Sequence, residues 1–144
     1  MPSISYAITV CNEHEELKRL VTKVLPYVRE IDEIVIQADE ETVTPEVQTV
    51  MKELANSELN RYSNVKLTFY PLSKDFATYK NNLKNCCTKD FIFFIDADEY
   101  PDAYLLEVLP KLLKANLNVD LFLVARINTV EGITPEHITR WGWR

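Results

Sequence analysis

Residues 91–101 read FIFFIDADEYP, a short apolar segment that runs directly into a group of carboxylates. The apolar segment, residues 91–95, contains only strand-forming residues, and such a run is typical of a strand buried on both faces in the middle of a parallel sheet. Three of the next four residues are acidic. Because open α/β sheets bind ligands outside the carboxyl ends of their strands, this pattern predicts a binding site there.

Asp96 and Asp98 indicate the chemistry of that site. Carboxylates so close together repel one another unless a cation lies among them, and carboxylate oxygens suit Mg²⁺ and Mn²⁺. Phosphate oxygens of a substrate commonly complete the coordination of these ions. The Asp-x-Asp pattern therefore predicts a cofactor, Mn²⁺ or Mg²⁺, and a nucleotide diphosphate that binds through it. A solvated acidic turn before a helix is the alternative interpretation.

Composition limits the class of protein. A chain of 144 residues with 47% hydrophobic residues is long enough for one compact domain with its own core. The net charge of −6 and the lack of a long basic run argue against a nucleic-acid partner. No apolar segment approaches the ~20 residues of a membrane span, and the amino terminus has no secretion pattern. The sequence therefore predicts a cytoplasmic protein.

Glycine and cysteine usage excludes several other kinds of site. Gly132 and Gly142 are the only glycines, so no earlier strand-to-helix turn carries the glycines that Rossmann and Walker phosphate loops require. Cys11, Cys86 and Cys87 have no Cys-x-x-Cys spacing. They indicate neither a zinc site nor a disulfide framework.

Strands and helices are expected to alternate along the chain. Apolar runs predict strands over residues 4–10, 31–38, 64–70, 91–95 and 120–127, and a helix follows each of the first four, the last one starting at Pro101. This alternation predicts an α/β fold, a three-layer α/β/α sandwich with a mostly parallel sheet. Helical spacing predicts the inward-facing residues, which are Leu17, Leu20, Val21, Val24 and Val28; Val47, Val50, Met51 and Leu54; Phe76, Leu83 and Cys87; and Leu105, Leu109 and Leu112.

Lys80 lies on the predicted apolar face of the third helix. It follows Phe76 by four residues and precedes Leu83 by three, which places the three side chains on one face. Two interpretations remain open. Lys80 is either a surface lysine whose aliphatic stem covers apolar neighbours, or a cation that reaches a pyrophosphate.

Four pieces of the sequence, in this order, resemble the inverting family 2 glycosyltransferases, which have the GT-A fold and bind nucleotide-diphosphate sugars. The pieces are TVCNE at residues 9–13, Asp39 at the end of the second strand, DFATYKN at residues 75–81, and IDADE at residues 95–99. The resemblance implies transfer of a sugar from a nucleotide-diphosphate donor, expected to be a UDP-sugar, to an unknown acceptor. A carboxylate such as Asp39 suits the imide N–H of uracil.

The same resemblance implies the residues of the site. The backbone near Val10 and the side chain of Glu13 would hold the nucleoside, Asp39 would accept hydrogen bonds from the base, and Lys80 would contact the phosphates. Asp96 would contact the ribose or a metal-bound water, and Asp98 would ligate the ion. The implied donor-binding set is Val10, Asn12, Glu13, Asp39, Lys80, Asp96 and Ala97, and the metal ligands are Asp98 and Asp96.

This chain departs from the family pattern in ways that affect the predicted mechanism. Lys80 stands where the family has arginine, so a point charge replaces a bidentate fork. The segment after Asp39 lacks the usual glycine. Inverting transfer requires a general base, which the family places downstream, and the late candidates here are Glu131, Glu136 and His137. Residues 1–127 are expected to form the donor-binding domain, and residues 128–144 the start of an incomplete acceptor-side region.

Other classes share parts of this pattern. A catalytically silent nucleotide-sugar binding domain would keep the same donor site. A haloacid-dehalogenase-like phosphatase also uses Asp-x-Asp, although on its first strand. Asp96, Asp98 and Glu107 match positions one, three and twelve of a calcium-binding loop, but Pro101 occupies the position that needs glycine. A sugar nucleotidyltransferase would have a glycine-rich first loop, which is absent.

Overall fold

The computed structural model describes residues 1–56 and 64–126. The strands in this part of the chain are β1 (Ile4–Val10), β2 (Glu33–Asp39), β3 (Val65–Tyr70) and β4 (Phe91–Asp96). The helices are α1 (His14–Val24), which continues as a 3₁₀ turn over Leu25–Tyr27, α2 (Pro45–Asn56), α3 (Phe76–Cys86) and α4 (Ala103–Ala115). All strand pairs are parallel, in the order β3-β2-β1-β4.

The helices cover both faces of this sheet. Alternate residues of β1, such as Tyr6 and Ile8, join the main core with buried residues of α1, α2 and α4. Ala7 and Val35 point to the opposite face, where Leu83 of α3 covers them. Three layers are therefore present, and the predicted α/β/α fold with a parallel sheet is confirmed.

The predicted position of the acidic strand in the sheet is wrong. β1 and β2 occupy the centre, whereas β4 is an edge strand of the described sheet, and Phe94 is 43% exposed. An unbroken apolar run indicates a strand but does not specify how many neighbours it has. Part of the Phe94 ring is covered instead by the Lys80 ammonium, which lies 5.6 Å from the ring centroid.

The fifth strand is also not formed where it was predicted. Residues 120–126 have no strand pairing, and Ile127 lies outside the described part. Phe122 nevertheless packs edge-on against Phe91, with ring centroids 6.4 Å apart. An apolar segment can thus lie beside β4 by side-chain packing without making the ladder hydrogen bonds that define a strand.

Two predicted helix faces need correction. In α4 the buried residues are Leu106, Leu109 and Leu113, not Leu105, Leu109 and Leu112. Both sets obey the helical period, so spacing could not choose between them. The helix begins at Ala103 after the Asp102 cap, and Pro101 precedes it.

In α3, Phe76 occupies the first position and is 66% exposed, and Cys87 lies just beyond the helix and is half-buried. The first two helices pack as predicted, with Val28 and Leu54 partly buried.

Within the described ranges, no helix combines the length and the apolar character that crossing a bilayer requires.

Candidate functional site

Three strands deliver the predicted site residues to one edge of the sheet. Thr9 of β1 is in register with Asp96 of β4, and Val10 is in register with Ala38, the residue before Asp39 in β2. Because neighbouring strands lie about 4.8 Å apart, the ends of β2 and β4 flank β1 at a separation of about 10 Å. The parallel topology therefore brings the three predicted pieces of sequence together at the carboxyl edge.

Asp96 is held by two donors from different elements. Its Oδ1 accepts hydrogen bonds from Thr9 Oγ1 at 2.7 Å and from Lys80 Nζ at 3.3 Å. Partial burial raises the pKa of this carboxyl, but the Thr9 hydrogen bond and the Lys80 charge outweigh burial and lower it overall. Asp96 is therefore ionised near neutral pH. Its second oxygen has no hydrogen-bond partner among the described residues and can accept a ligand.

Lys80 is positioned by a polar contact between α3 and β2. The buried Gln37 side chain donates to the Tyr79 carbonyl at 2.8 Å and accepts from Asn82 Nδ2 at 2.7 Å. The Tyr79 hydroxyl donates back to the Gln37 carbonyl at 3.2 Å. These bonds fix α3 on both sides of Lys80, so its ammonium reaches Asp96. The structure thus places the Lys80 ammonium beside Asp96 and over the Phe94 ring.

Asp39 orders the loops beside β2. Its Oδ1 accepts from the backbone N–H groups of Glu41 and Leu72, and its Oδ2 accepts from Thr42 Oγ1 at 2.7 Å. Burial raises the pKa of Asp39, but these hydrogen bonds lower it overall. A carboxylate offers about four lone-pair positions, so three donors leave one of them unused, although Asp39 is a buried residue with 5% of its surface exposed.

The turn after β1 is closed by Glu13. Its Oε2 accepts hydrogen bonds from the backbone N–H groups of Cys11 at 2.8 Å and Asn12 at 3.1 Å. Val10 is buried beneath this turn, and the Asn12 side chain is exposed. Cys11 Sγ also lies 2.8 Å from Thr42 Oγ1, which joins the turn to the Asp39 loop. The predicted nucleoside-binding residues therefore lie together in the turns that follow β1 and β2.

The Asp-x-Asp turn leaves one carboxylate free. Ala97 is buried, and its N–H donates to the Thr9 carbonyl at 3.0 Å. Glu99 folds back so that its Oε1 accepts from the Asp96 N–H at 2.8 Å. Asp98 is exposed, with no hydrogen bond or ion pair to any residue of the described ranges. The turn is thus rigid around Asp96 and open at Asp98.

These carboxylates suit a hard divalent ion whose remaining ligands come from the phosphates of a substrate. No three His, Cys, Asp or Glu side chains converge into a complete metal cage within residues 1–56 and 64–126. Mg²⁺ and Mn²⁺ do not need such a cage when one or two carboxylates and substrate phosphates supply the ligands. Asp98 and the Asp96 oxygen that has no partner within the described ranges are the groups that could hold the ion.

The structure adds residues to which the sequence analysis gave no role. Thr9 and Thr42 each hold one of the two key aspartates, and Arg126 approaches Glu99 with its Nε 3.7 Å from Glu99 Oε2. The Thr9 contact follows from register, since paired residues of parallel strands share a face. Arg126 has no comparable local signal. The candidate bases Glu131, Glu136 and His137 lie outside the described residues.

The fold and the placement of these residues define the class of protein. A parallel α/β sheet whose carboxyl edge carries an Asp-x-Asp turn is consistent with the GT-A fold of nucleotide-diphospho-sugar transferases.

The sequence model of Glycosyl transferase family 2 matches residues 5–144. The chain therefore belongs to this family, and the resemblance noted from the four motifs is confirmed. Family membership supports glycosyltransferase activity in general, with a nucleotide-sugar donor and an acceptor as substrates. No curated protein sequence matches the chain significantly.

The phosphatase interpretation is set aside because the Asp-x-Asp comes at the end of the fourth strand and not of the first. The calcium-loop interpretation is set aside because a strand, and not a helix, leads directly into the Asp-x-Asp.

Proposed function

We propose that this chain binds a UDP-sugar through Mn²⁺ or Mg²⁺ at the carboxyl edge of its sheet and transfers the sugar to an acceptor. The observation that carries the proposal is the pairing of Asp96 with Lys80 beside Asp98, which has no partner among the residues that the structure describes. Residues 1–127 would supply the donor half, and residues 128–144 would begin the acceptor side.

The negative and positive groups at this edge have separate tasks in the proposal. Asp39 uses its remaining lone pair for the imide N–H of the base, and the Cys11–Glu13 turn lies against the nucleoside. Asp98 and Asp96 hold the ion, which when bound offsets the charge of the departing diphosphate. Lys80 adds a cation at the same phosphates.

Thr9 and Gln37 position these groups without contacting the donor. Thr9 fixes the rotamer of Asp96, so the oxygen that faces the ligand is always the same one. Gln37 anchors α3 and therefore sets the reach of Lys80. The site is thereby organised before the ligand arrives, which lowers the entropy cost of binding.

A thermal-shift screen of nucleotide sugars with and without Mn²⁺ tests the proposal. A ligand at 100 times its Kd stabilises the native state by about 2.7 kcal/mol, which for a domain of this size corresponds to a Tm increase of about 9 °C. We expect this increase with a UDP-sugar and Mn²⁺ together, and a much smaller one without the ion.

The outcomes of the screen separate the parts of the proposal. A Tm increase with a nucleotide sugar other than a UDP-sugar would show that the site selects a different base. A Tm increase that is the same with and without Mn²⁺ would show that the ion is not needed for binding. No shift with any nucleotide sugar would refute the donor site. Release of the nucleotide diphosphate from a bound donor then distinguishes a transferase from a catalytically silent binding domain.

A further inference from the structure

Arg126 reaches the Asp-x-Asp turn because the segment after α4 runs along β4. Phe122 packs against Phe91 at the start of β4, and Arg126 lies beside Glu99, three residues beyond the end of that strand. Four extended residues cover about 13 Å, against about 20 Å for the six residues of β4 at about 3.3 Å per residue, and the long Arg126 side chain extends beyond its own backbone. The segment therefore runs in the same direction as β4, and the Arg126 guanidinium lies at the carboxyl edge of the sheet.

At that edge Arg126 and Lys80 approach two carboxylates of the same turn. Lys80 Nζ lies 3.3 Å from Asp96 Oδ1, and Arg126 Nε lies 3.7 Å from Glu99 Oε2. Two cations from distant parts of the chain thus converge on one acidic turn. Lys80 is already committed to Asp96 by a hydrogen bond, while Arg126 makes no hydrogen bond to any described residue.

The ion pair between Arg126 and Glu99 is weak enough for Arg126 to exchange Glu99 for another anion. The two groups are 3.7 Å apart, and the Arg126 side chain is 67% exposed. Ion pairs of this kind are weak because water competes for both charges. A diphosphate carries more charge than one carboxylate and offers several oxygens to the planar guanidinium fork, which Lys80 cannot match as a point charge.

We propose that Arg126 is a second phosphate-binding cation of the donor site. When a diphosphate binds, the Arg126 guanidinium gives up its contact with Glu99 and contacts the phosphate oxygens. This inference rests on the proposed function, because it requires a nucleotide diphosphate at the Asp-x-Asp turn. It assigns the segment after α4 to the donor site.

Binding of UDP and UMP to the Arg126→Gln and Arg126→Lys variants tests this role by calorimetry with Mn²⁺ present. Arg126→Gln should weaken UDP binding about 10-fold, as expected for loss of a charge-assisted contact, and should weaken UMP binding by less than about 3-fold. Arg126→Lys should recover part of the loss, because the charge remains. Lys52→Gln, which removes a positive charge from the exposed side of α2, should bind both nucleotides like the unmodified chain.

The results distinguish failure of this inference from failure of the proposed function. If the unmodified chain binds UDP with Mn²⁺ and Arg126→Gln binds it equally well, Arg126 is not a phosphate contact. An equal loss for UDP and UMP would overturn a contact with the β-phosphate, since the two ligands share the α-phosphate and the nucleoside. If the unmodified chain binds none of UDP, GDP, CDP and ADP, the donor site itself is refuted and this inference with it.

Discussion

Asp98→Asn is expected to weaken Mn²⁺-dependent binding of UDP by at least about 100-fold, since even indirect support of a metal ligand is commonly worth 10- to 100-fold. The amide keeps the size of the side chain but removes the charge that would hold the ion. Asp98 is exposed and has no hydrogen bond within the described ranges, so the free energy of unfolding should change by less than about 0.5 kcal/mol. Calorimetric titration with and without Mn²⁺ measures the first effect, and chemical unfolding measures the second.

Glu107→Gln is a matched control for this variant. Glu107 is an exposed acidic residue on α4, nine residues after Asp98, and its substitution removes the same charge. We expect it to leave UDP binding within about 2-fold of the unmodified chain, as for a surface charge outside the site. A metal-dependent Kd that is the same in Asp98→Asn as in Glu107→Gln would contradict the assignment of Asp98.

Glu33→Gln is expected to destabilise the fold by about 2–4 kcal/mol at pH 7, because it disrupts a buried charge network. Glu33 lies at the amino end of β2 and is almost fully buried. Its carboxylate accepts from Ser5 Oγ and the Thr88 N–H, both at 2.7 Å, and pairs with the Lys66 ammonium. The network joins β1, β2, β3 and the segment before β4.

The same network predicts how stability depends on pH. Burial raises the pKa of Glu33, but the Lys66, Ser5 and Thr88 contacts outweigh it and lower the pKa from 4.5 to about 2. Because the folded-state pKa is below the unfolded value, the stabilisation is complete above about pH 4.5 and is lost as the pH falls towards 2. The loss amounts to about 3 kcal/mol in the unmodified chain.

Guanidinium unfolding at pH 7 and pH 3 measures both effects. Glu33→Gln should be less stable than the unmodified chain at pH 7 and should lose less stability between the two pH values. Glu53→Gln, which changes an exposed residue of α2, should behave like the unmodified chain. Equal pH dependence in all three proteins would show that Glu33 is not the responsible group.

Periodicity and strand order account for the part of the site that could be predicted. Alternating strands and helices require parallel pairing, and parallel pairing places the ends of β1, β2 and β4 at one edge. Asp39, Asp96 and the Cys11–Glu13 turn therefore had to lie near one another. The spacing of α3 grouped Lys80 with Phe76, which is exposed, and with Leu83, which is buried, so its contact with Asp96 depends on how α3 packs against β2.

The remaining features depend on tertiary packing that local patterns do not encode. The apolar run of β4 could not show that Phe94 would be half-covered at an edge. The period of α4 allowed two inward faces one residue apart, and contact with the sheet selected Leu106 and Leu113. Arg126 lies near the site on a segment that is held beside β4 by the packing of Phe122 against Phe91, a contact between residues far apart in sequence.

The most direct test of a metal-bound diphosphate at the carboxyl edge is paramagnetic broadening of backbone amide NMR signals by Mn²⁺ in the presence of UDP. We expect the signals of residues 96–99 and of the Cys11–Glu13 turn to broaden first, and we expect broadening to require both Mn²⁺ and UDP. Glu33 and Thr88 lie at the opposite end of the strands, about 20 Å away at 3.3 Å per residue, and should remain sharp. Broadening centred away from the Asp-x-Asp turn, or equal at both ends of the sheet, would show that the ion and the diphosphate do not bind at this turn.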